Sequence, residues 1–220
     1  MVSKGGRARG WAGLRTIADM DVTLADIQAA RQRLRGGVYE TPCREAAELS
    51  ELLGCRIFCK REFQQRTGSF KERGARNAML QMDEARRARG VIAASAGNHA
   101  LALAFHGREL GIPVTVVMPR IAPLVKQTRC RLMGARVMIA GENIAEAKGT
   151  ADAYVEREGL TYIHGFDGAE VIAGQGTIAL EILEQVPNVD AIVVPVGGAG
   201  LIAGIGLAVK GLRPEVQVIG

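Results

Sequence analysis

Apolar residues recur along this chain in two alternating rhythms. Stretches with apolar positions three or four apart predict helices near 24–35, 44–53, 70–88, 98–110, 123–133, 143–158, 170–185 and 201–210. Between them lie short β-branched runs, which predict strands at Arg56–Lys60, Val91–Ala94, Val114–Met118, Arg136–Ala140, Ala191–Val196 and Val216–Ile219. Alternation of this kind with short loops predicts an α/β fold, with parallel-type sheets flanked by helices. Thr23 followed by Asp26 predicts a capped start to the first helix. The residues before it are basic, with Lys4, Arg7, Arg9 and Arg15, and residues 1–20 are read as a disordered tail. The last strand stops at Gly220 with no closing helix, so the chain is expected to be truncated, with an uncovered sheet edge that invites association.

Composition agrees with this picture and removes some functions. Of the 220 residues, 48% are hydrophobic but only 4% aromatic, so the core must be built on Ala, Val, Ile and Leu. The net charge of +5 comes from scattered residues that rarely neighbour aromatics, and no nucleic-acid-reading module accompanies it. No run of eighteen apolar residues exists, so no membrane span is predicted. Cys43, Cys55, Cys59 and Cys130 form no C-x-x-C pair, which suits reduced thiols in a cytoplasmic protein. No zinc spacing or G-x-S-x-G elbow is present, and His99, His106 and His164 are read as packing or capping residues.

Three loops carry candidate chemistry. In Arg66-Thr-Gly-Ser-Phe-Lys-Glu-Arg-Gly-Ala75, Ser69 is read as an N-cap and Glu72 as its capping-box partner. Lys71 then falls in the first helical turn, where a cation is unfavourable. That position, with Arg66, Arg73 and Arg76 close in sequence, predicts a lowered amine pKa and a nucleophilic lysine. The loop Ser95-Ala-Gly-Asn-His99 follows a strand and opens a helix, so its amides suit a carboxylate or phosphate. Alone, it reads equally as an ordinary turn capped by serine. Pro195-Val-Gly-Gly-Ala-Gly-Leu201 also lies between strand and helix and forms a phosphate cradle. Gly198, Gly200 and Ala203 match the dinucleotide fingerprint as well, but that loop should open the first βαβ unit rather than come late in the chain.

An amine nucleophile, an anion cradle and an asparagine able to hold a phenolic oxygen together describe a pyridoxal phosphate site. Ser69–Ala75, Ser95–His99, Ala173-Gly-Gln-Gly-Thr177 and Val194–Gly204 resemble the threonine dehydratase and serine racemase group of fold-type II pyridoxal phosphate enzymes, in the family's order from about Asp21 to Gly220. The resemblance implies a two-domain fold whose large domain, 21–87 and 166–220, is incomplete, with a small domain at 88–165 inserted in it. It implies that Lys71 holds pyridoxal 5'-phosphate as a Schiff base and later moves the substrate α-proton. Phe70 would lie beside the cofactor ring, and Asn98 would bond its hydroxyl. Gly197, Gly198, Ala199, Gly200 and Leu201 would bind phosphate through backbone amides, and Ser95, Ala96, Gly97, Asn98 and His99 would surround the substrate carboxylate.

The implied reaction is dehydration and deamination of L-threonine, and of L-serine, to a 2-oxo acid and ammonia. The alternatives are a serine racemase, another β-eliminating or β-replacing enzyme, or an inactive truncated relative. Racemases of the group carry serine where this chain has Ala96, which favours elimination. The chain departs from the family at Ala199, usually glycine, at Phe63, commonly aspartate, and at Gly165, commonly proline. The partner of the pyridine nitrogen and any cation ligands would lie past Gly220. A small amino-acid substrate, no nucleic acid, no membrane and a homo-oligomer in the full-length form complete the expectation.

Overall fold

The computed structural model describes residues 22–220. The reading of 1–20 as a tail lies outside them. In chain order the elements are α1 (Leu24–Leu34), β1 (Cys43–Glu45), α2 (Ala47–Leu53), β2 (Phe58–Lys60), α3 (Lys71–Leu80), α4 (Glu84–Arg89), β3 (Val91–Ala94), α5 (Asn98–Leu110) and β4 (Val114–Met118). Then follow α6 (Leu124–Leu132), β5 (Arg136–Ile139), α7 (Ile144–Glu158), β6 (Thr161–Tyr162), α8 (Ala169–Gln185), β7 (Ala191–Val193), α9 (Gly200–Leu212) and β8 (Gln217–Ile219).

Three sheets result among the described residues. The largest is parallel, in the order β5-β4-β3-β6, and a second parallel pair joins β7 to β8. Its central strands β3 and β4 are almost wholly buried, as expected of parallel strands covered on both faces. The pair β1–β2 is antiparallel, with Cys43 opposite Lys60 and Glu45 opposite Phe58. It corrects the helix expected over 44–53, which begins only at Ala47. The helix expected over 70–88 is likewise two. Asp83 accepts a hydrogen bond from the Arg86 amide at 2.7 Å and starts α4 afresh. At Thr23 the capping box forms as read, with the Thr23 amide donating to Asp26 Oδ2 at 2.8 Å.

Two main cores lie on either side of α3 and α8. One gathers Ala75 and Met79 with α5, β3 and β4; the other gathers α1, α8, α9 and the β7–β8 sheet. Where α3 and α8 cross, a Cβ on Gly174 would stand 2.7 Å from the Arg73 carbonyl oxygen and from Gly74 Cα. The Ala173–Thr177 motif is therefore a contact surface that lets two backbones approach closely. Gln175, buried within it, accepts the Gly74 amide at 3.2 Å.

Candidate active site

Lys71 is the first residue of α3, and its amine is partly buried. Burial pushes its pKa below the ordinary lysine value. The three neighbouring arginines, expected to contribute, are occupied elsewhere. Arg66 donates to the Gly37 carbonyl at 2.9 Å and lies over the Tyr39 ring. Arg73 is buried between Glu62 and Glu181, and Arg76 contacts His106. The lowered pKa is thus a desolvation effect. The helix start also differs from expectation: Phe70 is the N-cap, without a side-chain cap. Glu72 reaches past Ser69 to accept the Thr67 amide, and Ser69 Oγ is buried without a partner. The tight turn that Gly68 makes with φ +87° puts Thr67, rather than Ser69, within reach of Glu72.

The Lys71 amine donates to the carbonyl oxygen of Gly165, and Phe70 packs against the second core with its ring centroid 4.9 Å from that amine. The Gly165–Phe166 segment draws the other two loops to the lysine. A Cβ on Gly165 would stand 3.5 Å from the His99 ring. The Phe166 ring lies against Gly198 and its carbonyl against Gly200, so closely that a side chain at either glycine would overlap it. Lys71, the Ser95–His99 loop and the Gly197–Leu201 loop therefore share one site. Phe166 carries no local sequence signal that singles it out.

Ser95 Oγ accepts the Gly97 amide at 3.3 Å and so fastens the loop upstream of the helix rather than capping it. No side chain caps α5 at Gly97, which leaves first-turn amides for an anion. His99 is buried, with Nε2 bonded to the Ile163 carbonyl at 2.9 Å. Burial, and the charges of Lys71 and His164, outweigh that bond and lower its pKa to about 4. Its ring is a neutral group held by that carbonyl. Ala96 is partly buried against the first core. Asn98 is exposed, and its Oδ1 accepts from Lys126 at 3.0 Å. Lysine only donates, so the Asn98 amide nitrogen is left free to donate to a ligand oxygen.

In the glycine loop, Ala199 adopts φ +63°, left-handed backbone that glycine would take without strain. It is the N-cap of α9 and carries no side-chain cap. The Gly200 amide is bonded to the Gly198 carbonyl at 2.9 Å and is not available to phosphate, contrary to expectation. Leu201 packs its side chain on the second core and offers only its amide. An uncapped helix start beside a half-buried amine fits a phosphate-bearing aldehyde. Among the described residues, no group of three or more His, Cys, Asp or Glu is placed to hold a metal ion. None of the described helices is long and apolar enough to cross a membrane.

A family model described as pyridoxal-phosphate dependent enzyme matches residues 34–220. The chain belongs to that family. It is 48% identical over 199 residues to the L-threonine ammonia-lyase of Thermotoga maritima, covering 90% of this chain and 50% of that protein. Among solved structures it resembles maize serine racemase with a TM-score of 0.87 and 34% identity, over 90% of this chain and 60% of that one. Threonine deaminase isoform 2 of Solanum lycopersicum gives a TM-score of 0.84 and 40% identity, over 90% and 54%. The chain thus spans about half to three fifths of the length of these relatives.

Proposed function

We propose that the protein of which this chain is all or part is a pyridoxal phosphate-dependent ammonia-lyase acting on L-threonine and L-serine. The observation that carries the reading is the half-buried Lys71 amine, held by the Gly165 carbonyl beside the uncapped starts of α5 and α9. Pyridoxal phosphate, when bound, supplies the electron sink that makes an amino-acid α-proton acidic. Lys71 is the residue to attach the cofactor and afterwards to carry the α-proton on Nζ; its lowered pKa favours the neutral amine that both tasks need. The free amides at Gly197, Gly198, Ala199 and Leu201 cradle phosphate, and Phe70 lies beside the ring. The Asn98 amide nitrogen donates to the ring oxygen, oriented by Lys126. The loop Ser95, Ala96, Gly97, Asn98 and His99 surrounds the substrate carboxylate. The Ser95 and Gly97 amides are held by the Val117 carbonyl and Ser95 Oγ, so the amides of Ala96, Asn98 and His99 are the ones to receive it.

The likeness to maize serine racemase raises a second reading. Ala96 has no hydroxyl with which to protonate the opposite face of the α-carbon, so elimination is favoured over racemisation. We also assign 88–165 as the small domain and 21–87 with 166–220 as the large one, a division supported by the sheet β5-β4-β3-β6 drawn wholly from 91–162. A cytoplasmic homo-oligomer that binds neither nucleic acid nor membrane completes the proposal.

Borohydride trapping with pyridoxal 5'-phosphate tests the reading. The Lys71 amine condenses with the aldehyde, water leaves, and borohydride reduces the C=N bond, so a mapped adduct identifies the attachment residue. Attachment at Lys71 that Lys71→Ala abolishes is expected; an adduct at Lys60 or Lys126 would overturn it. Release of 2-oxobutanoate from L-threonine, with negligible D-serine from L-serine, is expected of the active protein, and Ala96→Ser should raise racemisation. Rapid D-serine formation by the unmodified protein would favour the racemase.

A further inference from the structure

Glu72 follows Lys71 directly and is fully buried. Its Oε1 accepts the Thr67 amide and closes the turn that presents Lys71. Its Oε2 stands 3.3 Å from Nε2 of His106, also fully buried, in the middle of α5. The contact is long and imperfectly aligned, and neither atom has another partner. On the far side of the ring, Arg76 Nη1 lies 3.2 Å from His106 Nδ1.

These neighbours determine where the imidazole proton sits. A guanidinium only donates, so Nδ1 must be the bare, accepting nitrogen. The single proton of the neutral ring is then on Nε2, directed at the Glu72 carboxylate. A second proton would have to enter at Nδ1, against the Arg76 cation. The charges around the ring act together: burial lowers the His106 pKa, Glu72 opposes that, and Arg76 and Arg66 reinforce it. Glu109, one turn further along α5, acts on Arg76. Glu72 itself is pushed up by burial, but its bonds to His106 and Thr67 outweigh this and keep it ionised.

We propose that Glu72 and neutral His106 form a buried positioning pair that fixes the Lys71 turn against α5, and hence against the Ser95–His99 loop at the start of that helix. The proposal rests on Lys71 being the attachment residue. A pair that merely filled space would be served as well by an apolar residue of similar volume. A positioning pair requires a donor at the His106 site and an acceptor at position 72.

Long-range proton–nitrogen spectra of histidine-labelled, cofactor-free protein read the pair without any variant. His106 is expected as the Nε2–H tautomer with no titration near the ordinary histidine pKa of about 6.5. An Nδ1–H tautomer, or titration near that value, would overturn the proposal. Glu72→Gln keeps the volume but sets an amide donor against Nε2–H. It should speed exchange of the Thr67 amide and slow borohydride-trapped attachment of pyridoxal 5'-phosphate at Lys71 by roughly tenfold, the scale of a small misplacement.

His106→Gln, which still offers a donor to Glu72, should retain more of that attachment rate than His106→Leu. The reverse order would mean that the ring only fills space, and the pair would be abandoned. If the unmodified protein attaches no cofactor at Lys71, the cofactor reading fails by itself. The tautomer and Thr67 exchange still decide whether Glu72 and His106 act as a pair, because neither needs the cofactor.

Discussion

Glu72 and Arg73 leave α3 side by side and end in two buried charge clusters of opposite character. Arg73 donates to Glu62 at 2.7 and 2.8 Å, to Glu181 Oε2 at 2.8 Å and to Thr177 at 3.2 Å. Lys60 adds a second cation on Glu181, and Thr41 bonds Glu62, both at 2.5 Å. Every charge there is paired. Around Glu72, by contrast, Glu72 Oε2, His106 Nε2, Arg76 Nε and Thr67 Oγ1 all lack a full hydrogen-bond partner. Saturated pairing anchors the segment before the lysine turn to α8. Incomplete pairing leaves the turn itself dependent on one neutral imidazole. Partly satisfied polar clusters cost stability, and this one lies beside the proposed attachment lysine, where such a cost is tolerated.

Removing a partner from the saturated cluster should therefore have the largest effect. Arg73→Met removes the cation shared by Glu62 and Glu181, leaving Lys60 on Glu181 and no cation on Glu62, and a loss of about 3–5 kcal/mol is expected in urea unfolding. A loss below about 1 kcal/mol would show that the two clusters do not differ in the way described.

Acid separates the clusters next. His99, with a pKa of about 4, and His106, lowered by burial, both resist protonation in the folded chain. An unfolded histidine titrates near 6.5. Below that value the unfolded chain takes up protons that the folded chain refuses. Stability is thus complete above pH 6.5 and falls as the pH drops toward about 4, by up to about 1.4 kcal/mol per unit for each histidine. Thermal melts at stepped pH should show this slope, and His106→Gln should flatten it.

Glu72→Gln should cost less than Arg73→Met, about 1–3 kcal/mol, because it disturbs hydrogen bonds without stranding a charge. Equal losses in the same denaturation assay would argue against the contrast. The smallest effect belongs to the exposed pair of Lys148 with Asp152, at 2.7 Å and close to half exposed on both sides. Lys148→Ala should stay within about 0.5 kcal/mol and serves as the baseline.

The same residue types were legible at one helix start and misleading at another. Thr23 and Asp26 close a capping box because the chain enters α1 extended, at φ −118°. Ser69 and Glu72 have the same spacing, but Phe70 enters α3 already helical, at φ −58°, and the carboxylate goes to Thr67. Spacing alone does not encode that entry angle. Strand β6 escaped notice because it is only Thr161 and Tyr162, paired to β3 by position rather than propensity. The lysine, asparagine and glycine loops were readable because turns and helix starts carry local signals. Gly165, Phe166 and Lys126 were not, since their roles come from contacts between residues far apart in sequence.

That long reach has a consequence for how the protein comes into being. Phe166 lies on Gly198 and Gly200, and Gly165 receives the Lys71 amine, so the site is closed by chain separated over positions 71 to 200. The parallel sheet β5-β4-β3-β6 and the turns around Lys71 are complete in sequence well before the glycine loop exists. During synthesis the proposed attachment lysine therefore emerges well before Leu201 and α9, which carry the proposed phosphate loop. Contacts of such sequence separation form late and slowly. Cofactor capture should accordingly be among the last events of folding, and newly made protein should pass through a stage that has its sheet and lacks its site.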